Sequence, residues 1–339
     1  MSKLLSRLLI VLSLVLAVSL AFVIPSGAIT EDAQTRYFDA LWEEEEDFFD
    51  EEARREPIAV IANAVFSDIL PAANVSALDG DLFAPGSTPI ADNFTENGYR
   101  DETIIVEMDK QRMYDSDVFI AYVKIATPSQ IRTAVAGKKM GSSSTNHTSV
   151  ISKNYNGIVA VNGDYYTKTK AGYIVRMGKT YREKTSKNMD LLLIDELGDF
   201  HIIPRGHDVQ EEGIAVFKSE HEIVNGFFFG PGLVIDGEKQ EIPEGYQFDP
   251  HQKNPRAGIA QLGTLTYALV VVNGRTNASA GVTMAEFADI MSELGAVQAY
   301  NLDGGNSATL AFNGEVYNDK PQAERSVTDV IYFASAIGE

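Results

Sequence analysis

The chain has 339 residues, 45% hydrophobic and 22% charged: enough apolar material for a sizeable core, and too little charge for a wholly disordered chain. Its 28 Lys and Arg against 48 Asp and Glu give a formal net charge of −20, so it lacks the cationic surplus by which a general nucleic-acid binder displaces counterions. Cysteine is absent, which excludes disulfides, a Cys-linked lipid anchor, thiolate metal sites and a Cys nucleophile.

Lys3 and Arg7 precede a low-polarity run from Leu8 to Ile24, and Pro25-Ser26-Gly27-Ala28 follow. Residues 1–28 read as a secretory signal cleaved after Ala28, or as an uncleaved anchor that would tether the protein to a membrane. Either outcome carries the remainder out of the cytoplasm. Residues 29–98 form an acidic extension and linker. Between Glu31 and Arg55 there are eleven acidic and three basic residues, with Phe38, Trp42, Phe48 and Phe49 among them. This is a solvated helix or spacer, or an amphipathic segment that docks on a partner or on the body. Residues 57–70 suit a short helix or strand, and 71–97 are rich in Pro, Gly, Asn and Asp.

The folded domain is expected over 99–339. Strand-like patterns at DETIIVEMD and SDVFIAYVKI meet at a turn around Tyr114-Asp115-Ser116. GIVAVNGDYY is a short apolar strand that breaks at Asn162-Gly163. GYIVRMGKT has the wrong glycine spacing for a P-loop and reads as a hairpin. DLLLIDELGDFHIIP is a hairpin turning at Gly198, and GFFFGPGLVIDGE repeats the strand-then-glycine pattern. A strand over Tyr267–Val272 precedes a helix with a Thr283/Glu286 capping box and apolar Phe287, Ile290, Met291 and Leu294 at helical spacing. Gly295 ends it. VQAYNL then delivers Asp303 to a Gly-Gly turn, with SATLAF expected as its hairpin partner. Short strands dominate without βαβ alternation, so the class is α+β, with largely antiparallel or mixed sheet and few helices.

Three strand ends carry candidate chemistry. In Asn301–Ser307 (NLDGGNS), two glycines beside Asp303 let a ligand approach backbone N–H groups, although Asp-Gly-Gly is also an ordinary turn. Asn162-Gly163-Asp164 is a polar cluster or a hairpin turn. Downstream of it, Lys168–Lys187 holds seven basic residues and one acidic, a cationic patch or a solvated hairpin face. Asn273-Gly274-Arg275 offers a guanidinium for bidentate phosphate binding, with a flexible TNASAG loop beside it. The five histidines are scattered without ligand spacing, and no spacing supports an ion on Asp303. Neither metal nor cofactor is expected.

The ordered set NGDYY, FGPGLVIDG, NPRAGIA, VVVNGRTNASAGVTMAEFADIMSELGAVQAYNLDGGNSATLAFNG and AERSVTDVIYF resembles the phosphodiester glycosidase family from about Arg132 to the C-terminus. The resemblance implies hydrolysis of a sugar-1-phosphodiester to free sugar and a phosphate monoester. It carries the family's site positions onto Asn162, Gly163, Asp164, Arg256, Arg275, Asp303, Gly304, Gly305, Ser307 and Arg325. Asn301 and Asn306 complete the loop, and Asn306 stands where relatives often carry glycine.

By chemistry, Arg275 and the Gly304–Gly305 amides take the phosphate, Asp303 faces the anomeric carbon, and Asp164 is its partner as base or hydroxyl anchor. Arg256 and Arg325 either lend charge or are structural. The expected partner is a sugar-phosphodiester or envelope glycan and not nucleic acid. The alternative from another class is a non-catalytic envelope module that binds phosphodiester-linked sugar polymers. Oligomeric state is not readable from the sequence.

Overall fold

The computed structural model describes residues 84–137, 139–320 and 323–337. Residues 1–28, expected to be an export signal or anchor, the acidic stretch and residues 57–70 lie outside these.

In chain order the first strands are β1 (Phe94–Thr95), β2 (Gly98–Arg100), β3 (Ile104–Met113), β4 (Ser116–Ile125), β5 (Ile131–Val135) and β6 (Val159–Asn162). Then come β7 (Gly172–Arg176), β8 (Lys179–Lys184), β9 (Leu191–Ile194), β10 (Phe200–Ile203), β11 (Asn225–Phe228), β12 (Gly232–Ile235) and β13 (Glu238–Lys239). The last are β14 (Arg256–Gly263), β15 (Thr266–Val272), β16 (Gln298–Asn301), β17 (Leu310–Phe312), β18 (Glu315–Val316) and β19 (Asp329–Phe333). The helices are α1 (Thr148–Asn154), α2 (His207–Glu220) and α3 (Met284–Glu293). The first pairing, β1 with β2, lies ahead of or at Tyr99, where Phe94 packs 4.6 Å from Tyr99 and 5.5 Å from Phe312.

A nine-stranded sheet runs β1-β2-β3-β4-β15-β14-β16-β12-β13, and two five-stranded sheets run β10-β9-β11-β7-β8 and β18-β17-β6-β19-β5. The strand pairings among the described residues are antiparallel, as the α+β reading expected. Strand β15 explains the layering. Tyr267, Leu269 and Val271 enter one apolar cluster, and Ala268, Val270 and Val272 enter another. Side chains alternate across a strand, so an unbroken apolar run means both faces are covered. One face carries α3 through Phe287, Ile290 and Met291. The other packs on the two smaller sheets, whose outer faces carry α2 through Ile214 and Phe217, and α1 through Ile151.

The hairpins form where turn chemistry places them. Tyr114 and Asp115 are both left-handed between β3 and β4, as are Met177 and Gly178 between β7 and β8. Helix α3 starts on the Thr283/Glu286 capping box, and Gly295 follows its end with φ +76. The β17 expectation needs correction. Residues 310–312 do not return beside β16, because both its edges are taken, by β14 and β12. Instead β17 pairs with β6 (Leu310 with Val161), so the Asn301–Ser307 loop crosses from the large sheet to a small one.

Candidate active site

Antiparallel register brings the candidate strand ends to one edge. Arg256 opens β14 opposite Val272, the end of β15, while Gly258 faces Asn301, the end of β16. In the neighbouring sheet, Asn162 at the end of β6 pairs with Val330 near the start of β19. The two ends are stitched together: Asp303 N–H donates to Gly163 O (3.3 Å), and Asn162 Nδ2 donates to Asp303 O (2.7 Å). Gly304 lets the loop lie against the residue before β14, since a Cβ there would stand 2.7 Å from Pro255 O.

Two cavities meet at Asp303 and Arg325. One, of about 270 Å³, is walled by Asn254, Arg256, Arg275, Asn301 and Asn306, with Phe229 and Phe248 stacked at 4.6 Å on one side. The other, of about 200 Å³, includes Gly163, Tyr165, Lys168 and Ser307 in its lining. Burial raises the Asp303 carboxyl to about 6; the Ser307 hydroxyl and Arg325 charge oppose this, and Asp164 adds to it. Arg275 is exposed, in a left-handed conformation with φ +62, and its Nε and Nη2 both donate to Asn254 Oδ1 (3.1 and 2.7 Å). Its Nη1 reaches Asn306 Oδ1 at 3.4 Å. The guanidinium is therefore aimed before any ligand arrives. The TNASAG loop is not a free flap: Ala280 N–H donates to Asp115 O, and Arg112 Nη1 donates to Ala278 O (2.5 Å), tying it to the β3–β4 turn.

Several candidates serve the scaffold instead of facing ligand. Asn162 is fully buried, its Oδ1 accepting from Thr309 N–H and its amide holding the Asp303 segment. Gly305 does not offer its N–H, which donates to Pro255 O at 2.8 Å. Arg256 lines the cavity, but its donors go to the carbonyls of Val282, Asp249 and Gln252; burial, then Arg275, hold it down to about 10. Asn301 binds Gly230 O through Nδ2, and its buried Oδ1 has no protein donor among the described residues.

Asp164 has no exposure. Its Oδ1 accepts from Arg176 Nη2 (2.8 Å) and Tyr166 N–H (3.2 Å), and its Oδ2 from Phe228 N–H (2.7 Å). Arg176 also grips Asp329 Oδ2 through Nε and Nη2 (2.9 and 2.8 Å), and its guanidinium lies 4.0 Å from the Phe227 ring centre. Burial pushes the Asp329 carboxyl up against the opposing pull of Arg176. This closed Asp164–Arg176–Asp329 triad sets the position of Gly163, whose N–H donates to Asp329 O. A Cβ on Gly163 would stand 2.5 Å from the Asp329 carboxylate. Gly163→Ala is therefore expected to cost about 1–3 kcal/mol of stability, read by urea unfolding; an unchanged midpoint would refute the packing argument.

Sequence reasoning missed Arg176 and Asp329. The available signal was an arginine inside the apolar strand YIVRM, which requires a buried carboxylate partner. It also missed Asn254 and Lys320. Lys320 Nζ donates to Asn306 O and Thr309 Oγ1 (both 2.8 Å), and burial lowers it to about 8.

Comparison with known proteins bears on this arrangement. The SPbeta prophage-derived uncharacterized protein YomE of Bacillus subtilis is 32% identical over 108 residues, which are 32% of this chain and 17% of YomE. The zebrafish N-acetylglucosamine-1-phosphodiester alpha-N-acetylglucosaminidase catalytic domain, auto-inhibited by its pro-peptide, shares the fold. Its TM-score is 0.54 at 16% identity, covering 74% of this chain and 87% of that one. A hypothetical protein from Synechocystis gives a TM-score of 0.48 at 19% identity, over 68% of this chain and 62% of its own. The family model for phosphodiester glycosidase matches residues 155–334, just over half the chain and inclusive of Asn162, Asp164, Arg275, Asp303 and Arg325. The protein belongs to the phosphodiester glycosidase family.

Proposed function

We propose that this protein is an exported hydrolase that cleaves the sugar C1–O bond of a sugar-1-phosphodiester, acting on cell-envelope or exopolysaccharide glycans. The observation that carries the reading is Asp303, a carboxylate raised to about 6 at the junction of two cavities whose walls supply Arg275, Arg256 and Arg325. Guanidinium groups suit the phosphodiester anion, and the phosphate needs little acid assistance to leave. The ionised Asp303 faces the anomeric carbon and stabilises its oxocarbenium character. The Phe229–Phe248 stack offers a flat apolar face for the sugar, and the smaller cavity takes the other half of the diester. Asp164 acts at one remove, holding the Gly163 segment against which Asp303 is set. The zebrafish enzyme's named substrate makes a GlcNAc-1-phosphodiester the first to try, and the charged, apolar and small-residue order of residues 1–28 supports export.

The test is to incubate the purified protein with UDP-GlcNAc or a GlcNAc-1-phosphodiester and to measure free sugar. Release that vanishes in Asp303→Ala supports the proposal. Binding without release would favour the non-catalytic module. Arg275→Ala is expected to lower kcat/KM by about 10²-fold while its thermal midpoint stays close to wild type, because the side chain is exposed. An unaltered kcat/KM would remove Arg275 from the phosphate's contacts.

A further inference from the structure

Two histidines twenty residues apart converge on one carboxylate at the end of the β9–β10 hairpin. Asp195 follows β9, His201 lies within β10, and His221 caps the C-terminus of α2. The Asp195 side chain is 1% exposed, and its two oxygens have separate tasks. Oδ1 accepts from the N–H groups of Leu197 (2.9 Å) and Asp199 (2.8 Å), which fix the carboxylate plane. Oδ2 is turned toward both imidazoles, 2.9 Å from His201 Nε2 and 3.4 Å from His221 Nδ1.

A hydrogen bond accounts for His201. It does not account for His221, whose Nδ1 is buried without a hydrogen-bond partner among the described residues. The three donor atoms lie within 4.8 Å of one another, and Glu196 Oε1 stands 3.5 Å from His221 Nδ1. Zn–N and Zn–O bonds of about 2.0–2.2 Å place tetrahedral ligands roughly 3.3–3.6 Å apart, so this spacing needs only small adjustment.

From this geometry we propose that Asp195, His201 and His221 bind one divalent transition-metal ion of the Zn²⁺ class, with Glu196 or solvent completing the tetrahedron. Two imidazole nitrogens select such an ion over Mg²⁺ or Ca²⁺, which take oxygen ligands. The carboxylate already has the orienting bonds that metal ligands require, and Phe217 supplies an apolar wall, its ring centre 4.9 Å from His201 and 5.5 Å from His221. His201 and His221 are 36% and 26% exposed, which leaves an entry path.

The site is remote from the Asp303 cavities. Ile194, beside Asp195, pairs with Asn225 at one end of β11, whereas Phe228 at the other end binds Asp164. The ion would fasten the hairpin to the end of α2 and stabilise the fold without joining the chemistry.

The test uses the chelator-treated full chain titrated with Zn²⁺ by calorimetry, and with Co²⁺ by visible absorption. We expect one equivalent to bind, a four-coordinate Co²⁺ spectrum, and a midpoint raised by about 5 °C or more at a hundredfold excess over Kd. His221→Ala should weaken binding at least about tenfold, and the His201→Ala/His221→Ala pair should abolish it, while His251→Ala should bind as wild type. Asp195→Asn retains an oxygen for the Leu197 and Asp199 N–H groups and should also lose the ion. A six-coordinate Co²⁺ spectrum in wild type, no saturable binding, or equal binding by the double variant would overturn the proposal, and the first two readouts require no variant to fold.

Discussion

Arg176→Met is expected to lower the unfolding free energy by about 3–5 kcal/mol, measured by urea unfolding at neutral pH. Among the described residues Arg176 is the cation that pairs with both Asp164 and Asp329, all three side chains being at most 1% exposed. Removing the cation leaves two carboxylates in a medium that solvates neither, and the substituted methionine fills the volume without supplying a donor. The carbonyls of Val175 and Gly226 lose a donor as well. A buried pair is not by itself strong evidence of net stability, but breaking one by removing a single partner is costly.

The same substitution is expected to reduce turnover, by a route that can be followed bond by bond. Asp329 O holds Gly163 N–H, and Gly163 O holds Asp303 N–H. If the loss comes from stranded carboxylates, adding Asp329→Asn to Arg176→Met should restore at least about 1 kcal/mol, the coupling typical of residues in one network. A midpoint for Arg176→Met within error of wild type would show that the triad is not holding this end of the sheet.

Local features of this fold were legible because they are written in local chemistry. The left-handed turn at Tyr114-Asp115, the Gly198 hairpin and the capped α3 each depend on residues within a few positions of one another. The candidate active-site loops were legible as strand ends rich in Gly, Asn and Asp. Their division of labour was not. Asn162 and Asp303 look alike in sequence, each a polar residue leaving an apolar strand. Yet Asn162 is fully buried with its amide engaged, whereas Asp303 borders both cavities. That difference is decided by Thr309 and by the crossing of the 301–307 loop between sheets, which in turn follows from both edges of β16 being occupied. Arg176 reaches a carboxylate 153 residues away, and His201 meets His221 only because α2 folds the chain back. Long-range pairing of this kind leaves a faint trace in one sequence: a charge where an apolar residue is expected.

Asp303→Asn is expected to produce two changes of opposite sign: turnover reduced by about 10²–10⁴-fold and stability at pH 7 increased by about 2–3 kcal/mol. Both follow from one cause. Burial raises the folded-state carboxyl to about 6, whereas in the unfolded chain it titrates near 3.9. Between these values the folded protein keeps a proton that the unfolded chain releases, so stability from this group falls as pH rises through the window from about 4 to about 6. At pH 7 the wild type bears the full cost of a buried negative charge, which the amide relieves. Below pH 4 both forms of the wild-type chain are protonated there, and the advantage of the asparagine should vanish. Unfolding curves for the two proteins at pH 4 and pH 7 measure this directly. The kinetic counterpart is an acid limb: if ionised Asp303 serves the sugar, kcat/KM should rise with pH through about 6 and level off above it. A flat profile between pH 5 and 7, together with equal stability of the two proteins at pH 7, would mean that the Asp303 charge is neither costly to the fold nor used in the reaction. The net prediction is a carboxylate kept at the expense of stability, because the cavity's arginines offer the phosphodiester positive charge while Asp303, which borders both cavities, offers the sugar a carboxylate.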